Sequence, residues 1–350
     1  MCKWSLSLAA FALIKLIKLI KLIKLYMKRT ILTLAAAFVM GVAAVAQSRA
    51  KSVVYVTRNI APESLVQLYH AMGVKAEGRV AVKISTGESE KTGYLRPDFI
   101  KPLLDEVHGT IVECNTAYGG DRGSRNTSEK HWKTIREHGF TKVAPVDIMD
   151  EEDTIHIPVK DHKYLKYDIV GSHLKYYDFM IHLAHFKGHQ MGGLGGVLKN
   201  ASIGVASSSG KAYIHSAGRT EKVDELWDYV DNQDGFVESM AAAAQGVHNF
   251  FDNGRKIVYI SVMYRMSIDC DCNANPATPL IADYGILAST DPVALDQACY
   301  DIVTKIHNDE HNNTQPLLDR IAKQHGTHIM EWGEHIGLGS RDYQLVSLDK

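Results

Sequence analysis

The 350-residue chain has no basic excess, with 39 Lys and Arg against 40 Asp and Glu. No basic stripe is present either, which argues against nucleic acid as a partner. Cysteine is scarce. Beyond residue 46 only Cys114, Cys270, Cys272 and Cys299 remain, and four scattered thiols are not a disulfide framework. Cys270 and Cys272 stand too close in sequence for an ordinary bridge to one another. After Ala50 there is no low-complexity linker and no internal repeat. There is also no Walker motif, no GxGxxG, no nucleophile elbow and no Ser/His/Asp order, which removes the familiar nucleotide-binding and serine-hydrolase signatures.

The N-terminus is apolar and peculiar. IKLIKLIKLIKL, Ile14 to Leu25, places Lys at every third position, so its lysines form no clean polar face of a helix. It reads as a spurious upstream extension, with a membrane-surface peptide as the alternative. A second start follows at Met27. Lys28-Arg29, the apolar run Ile31 to Val45 and Ala44-Val45-Ala46 then compose a secretory signal peptide cleaved before Gln47. The expectation is export to the periplasm, with no stable membrane insertion after cleavage. Removing 46 residues leaves 350 − 46 = 304, enough for one large domain over residues 51–350.

Strand-like and helix-like segments alternate from there. Ser52 to Thr57, Arg79 to Ser85, Gly109 to Glu113, Phe179 to Ala184, Lys256 to Tyr264 and Asp283 to Ser289 read as strands. Pro62 to Met72, Pro97 to Val107, Thr127 to His138, Gly235 to Asp252 and Pro316 to His325 read as helices, and a further helix starts at Asp291-Pro292. Glu151 to Val170 reads as a β-hairpin excursion and Tyr343 to Leu348 as a last edge strand. This order predicts a three-layer α/β fold, a mainly parallel sheet with helices on both faces.

The stretch Tyr177 to Ser216 organises the chain. Its strand ends at His185, Lys187 and His189 in a turn rich in glycine, followed by Lys199, Lys211 and His215. Polar clusters also follow the other strands: Lys83 to Glu88, Cys114-Asn115-Thr116 and Asp269-Cys270-Asp271-Cys272. In a parallel sheet such strand ends share one rim, where open α/β sheets place their ligands. His185 and Lys199 are the candidate catalytic residues. Lys83, Glu88, Asn115, Gly192, Gly193 and Lys211 are the candidate substrate-binding residues. Alternate positions of an extended segment share a face, so Cys270 and Cys272 are candidate ligands for one ion, with His185, His189 and His215 completing the shell. A borderline divalent metal, zinc, nickel or iron, suits these donors. Arg96 reads as a surface ion-pair residue, Cys299 as core, and His307, His311, His325, His328 and His335 as solvated.

At these residues the chain resembles a known family. HLAHFKGHQMGGLGGVLKNASIGVASSSGK, with KISTGE and YLRPDFIKPLLD upstream and DCDCNANPATPLIADYGILASTDPVALDQACYDIV downstream, is similar to the "domain of unknown function 362" family of bacteria and archaea. Many members of that family carry a ferredoxin-like C-x-x-C-x-x-C insertion after the segment matching His215-Ser216. Here Ala217-Gly218-Arg219-Thr220 follows directly, so no ferredoxin-type iron–sulfur cluster is expected. A fainter similarity reaches the nickel-pincer lactate racemase family. There a strand-end histidine, a Gly-Gly turn, a cofactor-tethering lysine and a nickel-ligating histidine look like His185, Gly192-Gly193, Lys199 and His215. The resemblance implies a metal-dependent enzyme acting on a small anionic metabolite. The alternative is a non-catalytic protein that binds a metal or an anionic cofactor.

Overall fold

Seven-residue strands at Phe179–His185 and Ile257–Met263 are buried along their whole length. Strands apolar on both faces belong at the centre of a covered sheet, and these two are parallel neighbours there. The computed structural model describes residue 24 and residues 51–88 and 93–349. The expected leader and the lysine repeat lie outside the described residues, apart from Lys24. No described helix is long and apolar enough to cross a membrane.

In chain order the strands are β1 (Ser52–Thr57), β2 (Val80–Lys83), β3 (Thr110–Glu113), β4 (Val146–Ile148), β5 (Thr154–Ile157), β6 (Asp168–Gly171), β7 (Phe179–His185), β8 (Lys187–His189), β9 (Gly193–Gly195), β10 (Ile257–Met263), β11 (Gly285–Ser289) and β12 (Tyr343–Ser347). Eight of them form one sheet in the order β12-β1-β11-β10-β7-β2-β3-β4. Only β11 runs against the rest, antiparallel to both β1 and β10. β5 pairs antiparallel with β6 as the expected hairpin excursion.

Helices α1 (Pro62–Ala71), α2 (Pro97–Val107) and α3 (Ser128–Glu137) cover one face. Their Leu65, Leu68, Ile100, Leu103 and Ile135 pack on Val82, Ile181 and Ile260. Helices α4 (Val197–Ala201), α5 (Ser208–His215), α6 (Gln233–Phe250), α7 (Pro292–Lys305), α8 (Gln315–Lys323) and α9 (His328–His335) follow. Their Leu198, Ile214, Met240, Leu295 and Ile321 pack on Met180 and Tyr259 of the opposite face. Alternation along β7 explains the split, since Met180 and Ala184 point one way and Ile181 and Leu183 the other. Each such fully buried side chain contributes about 1.5–3 kcal/mol. The fold is therefore the three-layer, mainly parallel α/β sandwich that the strand–helix alternation predicts.

Local chemistry sets several ends. Proline opens α1, α2 and α7, where its missing N–H costs nothing. Asp291 caps α7, accepting from the Val293 and Ala294 amides. Two expectations are corrected. His185, Lys187 and His189 do not enter an open turn: His185 ends β7, and Lys187–His189 pairs with Gly193–Gly195 as a small hairpin. The C-terminal histidines are not all solvated either. His328 heads α9 and bonds the buried Glu238 through Nε2 at 2.9 Å.

Candidate functional site

Because β2, β3, β7 and β10 are parallel, their C-termini meet on one rim. A cavity of about 60 Å³ opens there. At about 15 Å³ per water it has room for roughly four waters or one small anion. Its walls carry Lys83, Arg125, Lys187, Lys199 and Lys211, against the carboxylates of Glu113 and Asp271. His185, Cys114, Cys272, Gly195 and Gly196 complete much of the lining.

One side is a closed ion-pair network. Lys83, at the end of β2, reaches Glu113 at the end of β3 at 2.8 Å. Glu113 also accepts from Arg125 at 3.1 Å and from the Thr86 amide at 2.8 Å. Arg125 in turn bonds Glu88 at 3.0 Å. Burial pushes the Glu113 carboxyl up, but Lys83 and Arg125 outweigh it and hold it down at about 2. Behind this network Asn115 bonds Ser128 and the buried His131, and its amide reaches Asp150.

The other side is built on β7 and the helices after it. His185 donates through Nε2 to the Tyr264 carbonyl at 2.7 Å. Burial and the Lys187 ammonium depress its pKa against the opposing pull of Asp271, and Nδ1 lies 3.2 Å from Asp271 Oδ1 and 3.3 Å from Lys187 Nζ. Lys187 is paired with Asp271. Both ring nitrogens of His185 are thus engaged, Nε2 with the Tyr264 carbonyl and Nδ1 with the Lys187–Asp271 pair, which assigns the ring to fixing that pair. Lys211, on α5, is held by the Ala206 carbonyl.

Lys199 differs from all of these. It lies half-buried on α4 at the cavity wall, and no described residue pairs with its ammonium. Burial, with the nearby charges of Lys187, Arg125 and Lys83, lowers its pKa to about 7. The short helix that carries it is fixed from outside. The Asp296 carboxylate of α7 accepts the Val197 and Leu198 amides at 2.8 and 2.9 Å. Gly196 is required at that contact, because a Cβ there would meet Asp296 Oδ1 at 2.2 Å.

The expected metal ligands divide. His189 offers a ring nitrogen within 4.8 Å of the sulfurs of Cys270 and Cys272. Those sulfurs are joined to each other in a disulfide, contrary to the expectation that they stand too close to bridge. A bend at Asp271 sets their Cα atoms 5.3 Å apart, inside the usual range for a bridge of about 4.4–6.8 Å. Bonded sulfurs are not thiolates and do not grip an ion. His189 Nδ1 already accepts the Gly192 amide at 2.8 Å. His215 lies outside the cavity lining, its Nδ1 bonded to the Lys211 carbonyl at 2.7 Å and its ring stacked on Phe236. Gly192 and Gly193 are also outside the lining. Gly193 has φ +76° and packs against Gly326, a structural use, while Gly195 and Gly196 take the wall positions. Arg96 sits over the Tyr94 ring at 3.8 Å, away from the cavity.

Glu113, Arg125 and Asp296 were not singled out from the sequence. Glu113 carried a legible signal as the last residue of a strand on the ligand rim. Arg125 and Asp296 carried none, one lying in an irregular loop and the other inside a helix.

A sequence family described as a domain of unknown function (DUF362) matches residues 80–301, and the chain belongs to that family. No curated protein matches it. Among solved structures, the lactate racemase apoprotein from Thermoanaerobacterium thermosaccharolyticum is similar with a TM-score of 0.42 and 12% identity, over 73% of this chain and 57% of that one. A structural-genomics protein from Thermotoga maritima gives 0.37 and 12%, over 78% and 58%. The chain spans less than two thirds of either, and both likenesses stop at the general fold.

Proposed function

We propose that the rim cavity binds a small anion, a carboxylate or phosphate, and that Lys199 acts on it as acid and base. The observation that carries this reading is a lysine with no partner among the described residues, at the wall of a cavity whose other cations are already fixed, with burial drawing its pKa down to about 7. A general base works best when its pKa lies near the working pH. Lys199 and Lys211, the lining cations without a carboxylate partner among the described residues, supply the attraction for the anion, and Gly195 and Gly196 let it approach the backbone.

A divalent metal belongs to the fuller form of this reading, as do export and a metabolite substrate. The described donor group for a metal is His189 with the sulfurs of Cys270 and Cys272. The two sulfurs are joined to each other, so no step is routed through an ion. Export rests on the sequence of residues 27–46. Mass spectrometry of the mature protein is expected to find Gln47 at the N-terminus, and a chain starting at Met1 or Met27 contradicts it.

Calorimetric titration with oxalate and with inorganic phosphate tests the anion site. One of the two is expected to bind the wild type, and Lys199→Met to weaken it at least tenfold. Equal affinity for the variant, or no binding of either probe, refutes the reading. With glycolate as a third probe, solvent deuterium entering the carbon beside its carboxylate marks catalysis, and glycolate binding without exchange returns the non-catalytic carrier.

A further inference from the structure

The disulfide that removes the sulfurs from metal binding sits where a reactive disulfide would sit. Cys270 is buried, 2% exposed, while Cys272 is half-buried and lines the cationic cavity. The two sulfurs are therefore unequal, and only one faces an incoming molecule. The Cys272 amide donates to Cys270 Sγ at 3.3 Å. A backbone donor aimed at a sulfur stabilises negative charge there, which makes Cys270 the better leaving group. The imidazole of His189 lies beside both sulfurs.

The loop is clamped on both sides of the bond. The Asp271 side chain is held by Lys187, and its carbonyl accepts the Glu88 amide at 2.8 Å. Gly188 of the β8–β9 hairpin donates to the Ser267 carbonyl at 2.8 Å, and a Cβ there would meet the Ile268 carbonyl oxygen at 2.3 Å. None of these contacts depends on the S–S bond. Opening it leaves the tripeptide in place and the two thiols adjacent, ready to reclose.

We propose that Cys270–Cys272 is a redox-active disulfide that exchanges with small thiols bearing carboxylates. A thiolate of the incoming molecule attacks Cys272 Sγ. The S–S bond breaks, and its electron pair goes to Cys270 Sγ. A second thiolate then attacks the external sulfur of the mixed disulfide, releasing Cys272 as thiolate and forming the external disulfide. Two thiols are oxidised, the protein disulfide gains two electrons, and the two thiol protons end on Cys270 and Cys272. Lys199 and Lys211 line the same cavity as Cys272 without a carboxylate partner among the described residues, and they favour an anionic thiol over a neutral one by electrostatic attraction.

The test uses the native protein with glutathione and with neutral 2-mercaptoethanol as the two probes, at matched thiolate concentration. Reduction is followed by alkylation and mass spectrometry of the peptide holding Cys270 and Cys272. Glutathione is expected to react at least tenfold faster at low salt, and the two rates to converge near 1 M salt, where charges are screened. Equal rates at low salt, or reduction only in denaturant, overturn the proposal. Single variants give a second readout. Treated with glutathione disulfide, Cys270→Ser is expected to trap a mixed disulfide on Cys272 at least tenfold faster than Cys272→Ser traps one on Cys270. The reverse order, or no difference, also overturns it.

Discussion

The two sides of the rim use their cationic groups differently. On the β2–β3 side every charge is matched: Lys83 and Arg125 meet Glu113, and Arg125 meets Glu88. On the side of α4 and α5, Lys199 has no partner among the described residues and Lys211 has a single carbonyl. Both sides are built from strand ends and following loops, so burial alone does not separate them. What separates them is the supply of carboxylates. A buried cation with a matched carboxylate is scaffold, because its charge is spent within the protein. A buried cation without one destabilises its own charged form, loses its proton more easily and is available to a ligand.

The largest effect that can break this comparison is expected at Glu113. Glu113→Gln keeps the shape, leaves Lys83 buried against a neutral amide and leaves Arg125 with Glu88 as its one carboxylate. Removing one partner of a buried ion pair costs about 3–5 kcal/mol, read as a lower denaturant midpoint. A loss below about 1 kcal/mol would show that the matched side is not scaffold.

Lys199→Met is expected to act in the opposite direction and by less. The folded pKa of about 7 lies below the ordinary 10.5, so the unfolded chain holds this proton more tightly than the folded one. The burden is therefore full below pH 7 and fades as the pH rises towards 10.5. The variant is expected to be about 2 kcal/mol more stable than wild type at pH 6, allowing for the partial exposure of the side chain. The difference should vanish near pH 10.5. Denaturant unfolding across that range checks it, and a variant less stable than wild type at pH 6 would erase the distinction between the two sides.

Much of this arrangement was legible in the chain. The apolar runs of β7 and β10 could only be central strands, and the polar residues after them had to land on one rim. That logic named Lys83, His185, Lys199 and Lys211, which share the cavity. What it missed turns on contacts between distant segments. Asp296 fixes α4 across 98 residues of sequence, and nothing in a buried helix position announces a cap for another helix. Glu113 and Arg125 matter because of each other. The disulfide escaped because a two-residue spacing in an extended strand holds the sulfurs apart, whereas the bend clamped at Asp271 brings them together. The histidines were over-read for the same reason. Imidazoles near glycine suggest free lone pairs, yet the fold engages His185 with the Lys187–Asp271 pair and His189 with the Gly192 amide.

The central claim is that Lys199 is an uncommitted amine whose proton is labile near neutral pH. The most direct measurement is the titration of that one amine, from the pH dependence of its acetylation by trace acetic anhydride read by peptide mass spectrometry. The expected midpoint is about 7. A midpoint near the ordinary lysine value of about 10.4 would contradict the account.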